Sequence, residues 1–180
     1  MNKGLIITLI VFLLLGIGSS LSAQKGNYES VADFEPPHME IAQYKNNRKY
    51  QLNGLKLSQS GKLLIADYGF NNSLIAIYSI DSLKLVGAYW IESIAELEHS
   101  YFSDDDTKLY IKYNRFSSDY KLITLASKTM RNISCDKTPQ GCISRQAGMS
   151  IIKLYSPDKK YYFVRNSKDR KTLHIYKLVE

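Results

Sequence analysis

The sequence predicts an all-β chain of about three four-stranded antiparallel units that follow an N-terminal export signal. Three observations carry that reading. A serine-led turn phrase recurs three times, and each copy opens a short run of apolar, β-branched and aromatic residues. A second run of the same kind answers each first one, about 13 residues after the lysine of the phrase. The stretches between are polar and rich in turn residues, a pattern of strands joined by hairpins rather than of helices.

The N-terminal segment has the three-part layout of a secretory signal peptide over residues 1–23. Met1-Asn2-Lys3 supplies a positive start, Leu5 to Ile17 is a 13-residue apolar run, and Ser19 to Ala23 is small and polar apart from Leu21. A permanent span needs roughly 20 apolar residues, so cleavage after Ser22 or Ala23 is expected, leaving no stable membrane span. The expected location is secreted or periplasmic. Residues 24–37, polar and acidic and ending in Pro36-Pro37, read as an extended arm. Residues 38–180 have the length of one domain, enough to bury a core without many staples.

The repeated phrases are SQSGKLLIADY from Ser58, SDDDTKLYIKY from Ser103 and SPDKKYYFVRN from Ser156, at intervals of 45 and 53 residues. In each turn, Ser or Asp side chains can bond the backbone, and Gly, where present, supplies a positive φ. Unit one is expected to have strands near Gly54–Ser58, Lys62–Asp67, Ser73–Ile80 and Lys84–Ile91. Unit two follows with Leu97–Ser103, Lys108–Tyr113, Tyr120–Ala126 and Met130–Cys135. Unit three has only Met149–Ser156, Lys160–Arg165 and Thr172–Val179. The extended-looking segment His38–Tyr44 is the candidate for its missing fourth strand, and Glu92 to Glu98 for one helical turn.

Over residues 53 to 180 this pattern resembles the blades of a β-propeller of the WD-repeat or YVTN-like kind. There, a Ser-x-Asp-Gly-Lys type of turn joins the innermost strand to the second. The Trp-Asp pair of that family is absent, since Trp90 is followed by Ile91. Three blades fall below the usual four of a closed ring. The resemblance therefore implies a homodimer that closes a six-blade ring, an open arc with protected edges, or a compact twisted sheet or sandwich.

Cys135 and Cys142 flank the polar turn Asp136–Gly141. Six intervening residues and no neighbouring histidine are poor for zinc, and a loop-pinning disulfide agrees with an oxidising destination. It would contribute roughly 2–3 kcal/mol. Charge is uneven: the formal net charge is +7, yet from Thr107 onward 16 Lys or Arg face 5 Asp or Glu. Such a half attracts polyanions, although basic residues at alternate strand positions also make an ordinary solvated face. For an exported chain, an acidic glycan or a protein partner at the cell envelope is expected rather than nucleic acid.

No constellation for catalysis stands out. His38, His99 and His174 lie in three different segments, without metal-ligand spacing. No nucleophile elbow or phosphate-cradling glycine loop occurs, so neither enzymatic activity nor a cofactor is expected. Asp104-Asp105-Asp106 falls where a hairpin turn belongs and lacks calcium-loop spacing. His99 is expected on an innermost strand near Lys56, Tyr101 and Lys153. Most of the 14 tyrosines fall in strands, where the ring packs and the hydroxyl stays wet. The exposed wager lies in loops. On a propeller, Phe70, Arg115, Phe116 and Arg170 share one end with the Cys135–Cys142 loop, and aromatic and arginine residues at loop tips suit a partner. The sequence thus reads as a non-catalytic binding or protein-interaction module outside the cytoplasm. The alternative is carbohydrate or polyanion binding through the basic C-terminal half.

Overall fold

The computed structural model describes residues 27–38, 50–69, 71–113, 118–142 and 151–179. The segment read as an export signal, Phe70, Arg115 and Phe116 fall outside the described residues.

The three serine-led phrases fold into the same turn. In each, the serine amide donates to the carbonyl five residues on, Ser58 to Leu63, Ser103 to Lys108 and Ser156 to Tyr161, at 2.9 Å every time. The serine hydroxyl accepts the amide of that same residue, at 3.2, 2.9 and 2.9 Å. Two residues after the serine, the side chain of Ser60, Asp105 or Asp158 accepts the amide two positions further on. The next residue takes a left-handed backbone: Gly61 at φ 74°, Asp106 at 55° and Lys159 at 59°. Only the first copy uses glycine there. The other two hold an L-residue in a region that disfavours it by about 1–2 kcal/mol, and the side-chain bonds on either side keep it in place.

These turns position twelve strands: β1 (Tyr28–Phe34), β2 (Gln51–Leu57), β3 (Leu63–Gly69), β4 (Ser73–Ser79), β5 (Lys84–Ile91), β6 (Tyr101–Phe102), β7 (Lys108–Lys112), β8 (Tyr120–Thr124), β9 (Thr129–Ile133), β10 (Lys153–Tyr155), β11 (Tyr161–Arg165) and β12 (Leu173–Leu178). They form three four-stranded antiparallel sheets. Sheet 1 has the order β2-β3-β4-β5, sheet 2 β6-β7-β8-β9, and sheet 3 β1-β12-β11-β10. The fold is all-β, made of propeller-like repeats.

Sheet 1 lies in the middle. Leu64, Ala66, Tyr68, Leu74, Ala76 and Tyr78 on one of its faces join a core with Phe163, Leu173 and Ile175 of sheet 3. Ile65, Ile75 and Ile77 on the other face pack with Leu109, Ile111 and Ile123 of sheet 2. A sheet covered on both faces has no solvent-facing alternation, which is why Leu64–Tyr68 and Leu74–Tyr78 are buried without a break. The turns meet as well. The Ser60 hydroxyl donates to Asp106, and a side chain on Gly61 would lie 3.0 Å from Pro157.

Two expectations are corrected. The fourth strand of unit three comes from β1, inside the stretch read as an arm, and not from His38–Tyr44. His38 is exposed and outside any strand, and residues 39–44 lie outside the described ones. The reason is apolar supply: Val31, Ala32 and Phe34 pack on the sheet 1–sheet 3 core, and the Phe34 ring stacks on Tyr78 at 4.6 Å. The second correction concerns Leu97–His99, expected to begin an innermost strand. It forms a 3₁₀ turn, and strand β6 shrinks to two residues. Leu97 is seated on Gly54, where a Cβ would meet its Cδ1 at 3.0 Å. The Lys56 ammonium draws out the carbonyls of Leu97 and Glu98, at 3.0 and 3.1 Å.

Candidate functional site

Of the expected loop-end site, the described residues include Arg170 and the Cys135–Cys142 loop. Arg170 tops the β11–β12 connection with φ 59°. Its amide donates to Asn166 O at 3.1 Å, and its carbonyl accepts the Leu52 amide of sheet 1 at 2.9 Å. The loop is built from its own side chains. Asn166 Oδ1 accepts the Lys168 amide at 2.8 Å, and Asp169 Oδ1 accepts the amides of Lys171 and Thr172 at 2.7 and 3.0 Å. Thr172 in turn donates to Glu35 just after β1, at 2.8 Å. Beneath Arg170, the Arg165 guanidinium donates to Leu52 O at 2.9 Å. Burial, and then the Arg170 charge, lower the Arg165 pKa. The Arg165 guanidinium at the end of β11 and the Arg170 charge thus repel each other.

The disulfide forms as the spacing suggested, with Cα atoms 4.7 Å apart. Thr138 is buried and its hydroxyl bonds the carbonyls of Cys135 and Gly141, at 2.8 and 3.2 Å, closing the loop on itself. The loop covers the outer face of sheet 2: Cys135 packs with Tyr110, Tyr120 and Leu122, and the Gln140 amide donates to the Tyr101 hydroxyl at 3.3 Å.

The residues expected around His99 do not assemble. Lys56 reaches the His99 turn through the two carbonyls already described. Burial lowers the Lys56 pKa, and Glu98 partly offsets this. His99 Nε2 lies 3.4 Å from Glu98 Oε1. Tyr101 stacks instead on Tyr110 at 4.9 Å, and the Lys153 ammonium sits 5.4 Å above the Tyr162 ring. In the Asp104–Asp106 cluster, Asp105 is a turn residue. Bonds from Ser103 and then Thr107 hold its pKa down at about 2. Among the described residues, no group of three metal-ligating side chains converges.

Two features were not singled out from sequence. Asp67 on β3 is buried, and its pKa is pushed up to about 7 by burial, which a hydrogen bond from Ser73 only partly offsets. The other is the outer face of sheet 3. Tyr155, Tyr162 and Tyr176 stand opposite one another across β10, β11 and β12. Ring centroids are 4.8 Å apart for Tyr155–Tyr162 and 5.8 Å for Tyr162–Tyr176, and Tyr28 reaches over to 6.0 Å from two of them. Tyr155 keeps 49 % of its surface. The signal lay in the alternation of YYFVR and LHIYKL, but the tyrosines on one side matter only once pairing aligns them.

Among the described residues, no helix is long and apolar enough to cross a membrane. No protein-family model and no curated protein matches the sequence. Solved structures similar to the chain include an oligogalacturonate lyase in complex with manganese, at 12 % identity and a TM-score of 0.36 over 73 % of this chain and 36 % of that one. An oligogalacturonate lyase from Vibrio parahaemolyticus shows 10 % identity and a TM-score of 0.37, over 79 % and 38 %. The β-propeller domain of Cps50 (Swd1) from Myceliophteria thermophila shows 7 % identity and a TM-score of 0.31, over 81 % and 59 %. The chain spans less than two thirds of the length of each of these.

Proposed function

We propose that this protein is a non-catalytic binding module acting outside the cytoplasm, and that it meets an anionic partner at the Arg170 end of its sheets. The partner is an acidic protein surface or an acidic glycan at the cell envelope. One observation carries the reading: Arg170 is exposed on a loop whose backbone is fixed at both ends, with a second guanidinium beneath it. A loop whose backbone is already fixed loses little backbone freedom on binding, so more of the attraction appears as affinity. The Cys135–Cys142 disulfide supports an oxidising compartment. The serine-led turn, with one hydrogen-bond pattern in three copies, supports blades of the WD-repeat or YVTN-like kind.

The test is chromatography of the full protein on a sulfated and on a carboxylated polysaccharide matrix. Exposed charge pairs are screened over about 10 Å at 0.1 M salt, so retention should fall steeply as salt rises. Arg170→Asn, which keeps a residue tolerant of the left-handed backbone, should elute at clearly lower salt with an unchanged melting curve. Salt-indifferent retention, or an Arg170→Asn variant that elutes with the wild type, would sink the reading.

A further inference from the structure

The two internal sheet–sheet interfaces follow one rule. The residue six positions after the turn serine faces one neighbour and the residue seven positions after faces the other. Leu64 therefore meets the side of sheet 3 that carries Phe163, and Leu109 meets the side of sheet 1 that carries Ile65. Two faces are left over at the ends of the 3–1–2 stack. The outer face of sheet 2, carrying Tyr110, lies under the disulfide loop. The outer face of sheet 3, carrying Tyr162, is partly exposed across its width.

That open face is polarised. Strand register puts Asp33, His174, Val164 and Lys153 in one row across β1, β12, β11 and β10. The acid therefore lies at one edge and the ammonium at the other, with Asp33 bonded to His174 at 2.6 Å. The neighbouring row is Ser30, Tyr176, Tyr162 and Tyr155. A two-fold axis in the plane of the face and parallel to the strands swaps the two edges. It sets Asp33 against the second copy's Lys153, Lys153 against its Asp33, and tyrosine row against tyrosine row.

We propose that the tyrosine face of sheet 3 pairs with its own copy in a second chain, forming an isologous dimer. Such a contact is self-complementary, as two-fold interfaces must be, and aromatic pairs across it add to the burial of their area. It differs from closure of a six-blade ring, which would set this face against the outer face of sheet 2, where the disulfide loop lies. Four strands at a spacing of about 4.8 Å give a face on the order of 15–20 Å wide. That is a small interface, so the dimer should form with a Kd on the order of 10 μM.

Sedimentation velocity of the protein from about 1 to about 200 μM tests this. The apparent mass should climb toward twice that of the chain. Tyr155→Ser with Tyr176→Ser should move the midpoint at least about tenfold upward in concentration. Both positions face outward, so a variant with an unaltered melting curve reports on the interface alone. Lys153→Asp and Asp33→Lys should each be monomeric, whereas an equimolar mixture of the two should dimerise, because every cross-edge contact then joins opposite charges. Three results would overturn the proposal: a wild type that stays monomeric throughout, single charge reversals that leave association unchanged, and folded variants whose mixture fails to associate. In the first case, tyrosine variants that lose retention on a polysaccharide would assign the face to a glycan.

Discussion

At Asp67 the central sheet carries a carboxyl where water cannot reach it, between Gly54 and Ile75 in register. Oδ1 has no hydrogen-bond partner among the described residues. Burial disfavours the charged form, and the folded pKa of about 7 stands well above the ordinary 3.8. Between those two values the folded chain binds the proton and the unfolded chain does not. Stability therefore falls as pH rises through that window and levels off above about 7. Asp67→Asn should be more stable than the wild type at pH 8, by up to roughly 4 kcal/mol, and nearly equal to it at pH 4. Urea melts at the two pH values check this; an equal difference at both would refute it. Little of this was legible in the sequence, because Asp67 ends the expected strand Lys62–Asp67 and reads as its solvated end. The serine turns were legible for the opposite reason. Their bonds span five residues, so the pattern of side chains alone specifies them. His99 was misplaced because its turn depends on Lys56, a distant residue.

Among the elements, β1 is the one that sequence reasoning put elsewhere. Its register slips between Ser30 and Ala32, a bulge that breaks the alternation by which a strand is recognised. Glu29 and Asp33 add polarity to the segment, and the pairing partner lies at the other end of the chain. The eleven other strands sit beside local turns and fall within a few residues of expectation, apart from the shortened β6. Gly69 shows how tightly the β3–β4 hairpin is drawn: a Cβ there would lie 1.9 Å from Asn72 O. Strand β1 contributes through Phe34, whose partly buried ring packs against the core between sheets 1 and 3. Phe34→Ala should cost about 2–3 kcal/mol, with loss of near-ultraviolet signal from the stacked Tyr78. A change under about 0.5 kcal/mol, the scale of ordinary surface substitutions, would show that β1 is only draped on the sheet.

Across the whole molecule, the number of units and their strand content were readable, whereas the 3–1–2 order was not. That order rests on long-range packing of sheet 3 and sheet 2 against sheet 1, which no local pattern encodes. It places β3 and β4 at the centre of both cores, and amide exchange should reflect it. Leu64–Tyr68 and Leu74–Tyr78 should exchange slowest, near the global unfolding limit, and the half-exposed β9 and β10 faster. Slower exchange in sheet 2 or sheet 3 would contradict a central sheet 1.

The pairing of Tyr28 with Leu178 also bears on biogenesis. A chain made from its N-terminus carries β1 as an unmatched edge until β12 has appeared. Long-range pairing of this kind slows folding and leaves sticky intermediates. Removal of β12 should therefore leave β1 without a mate.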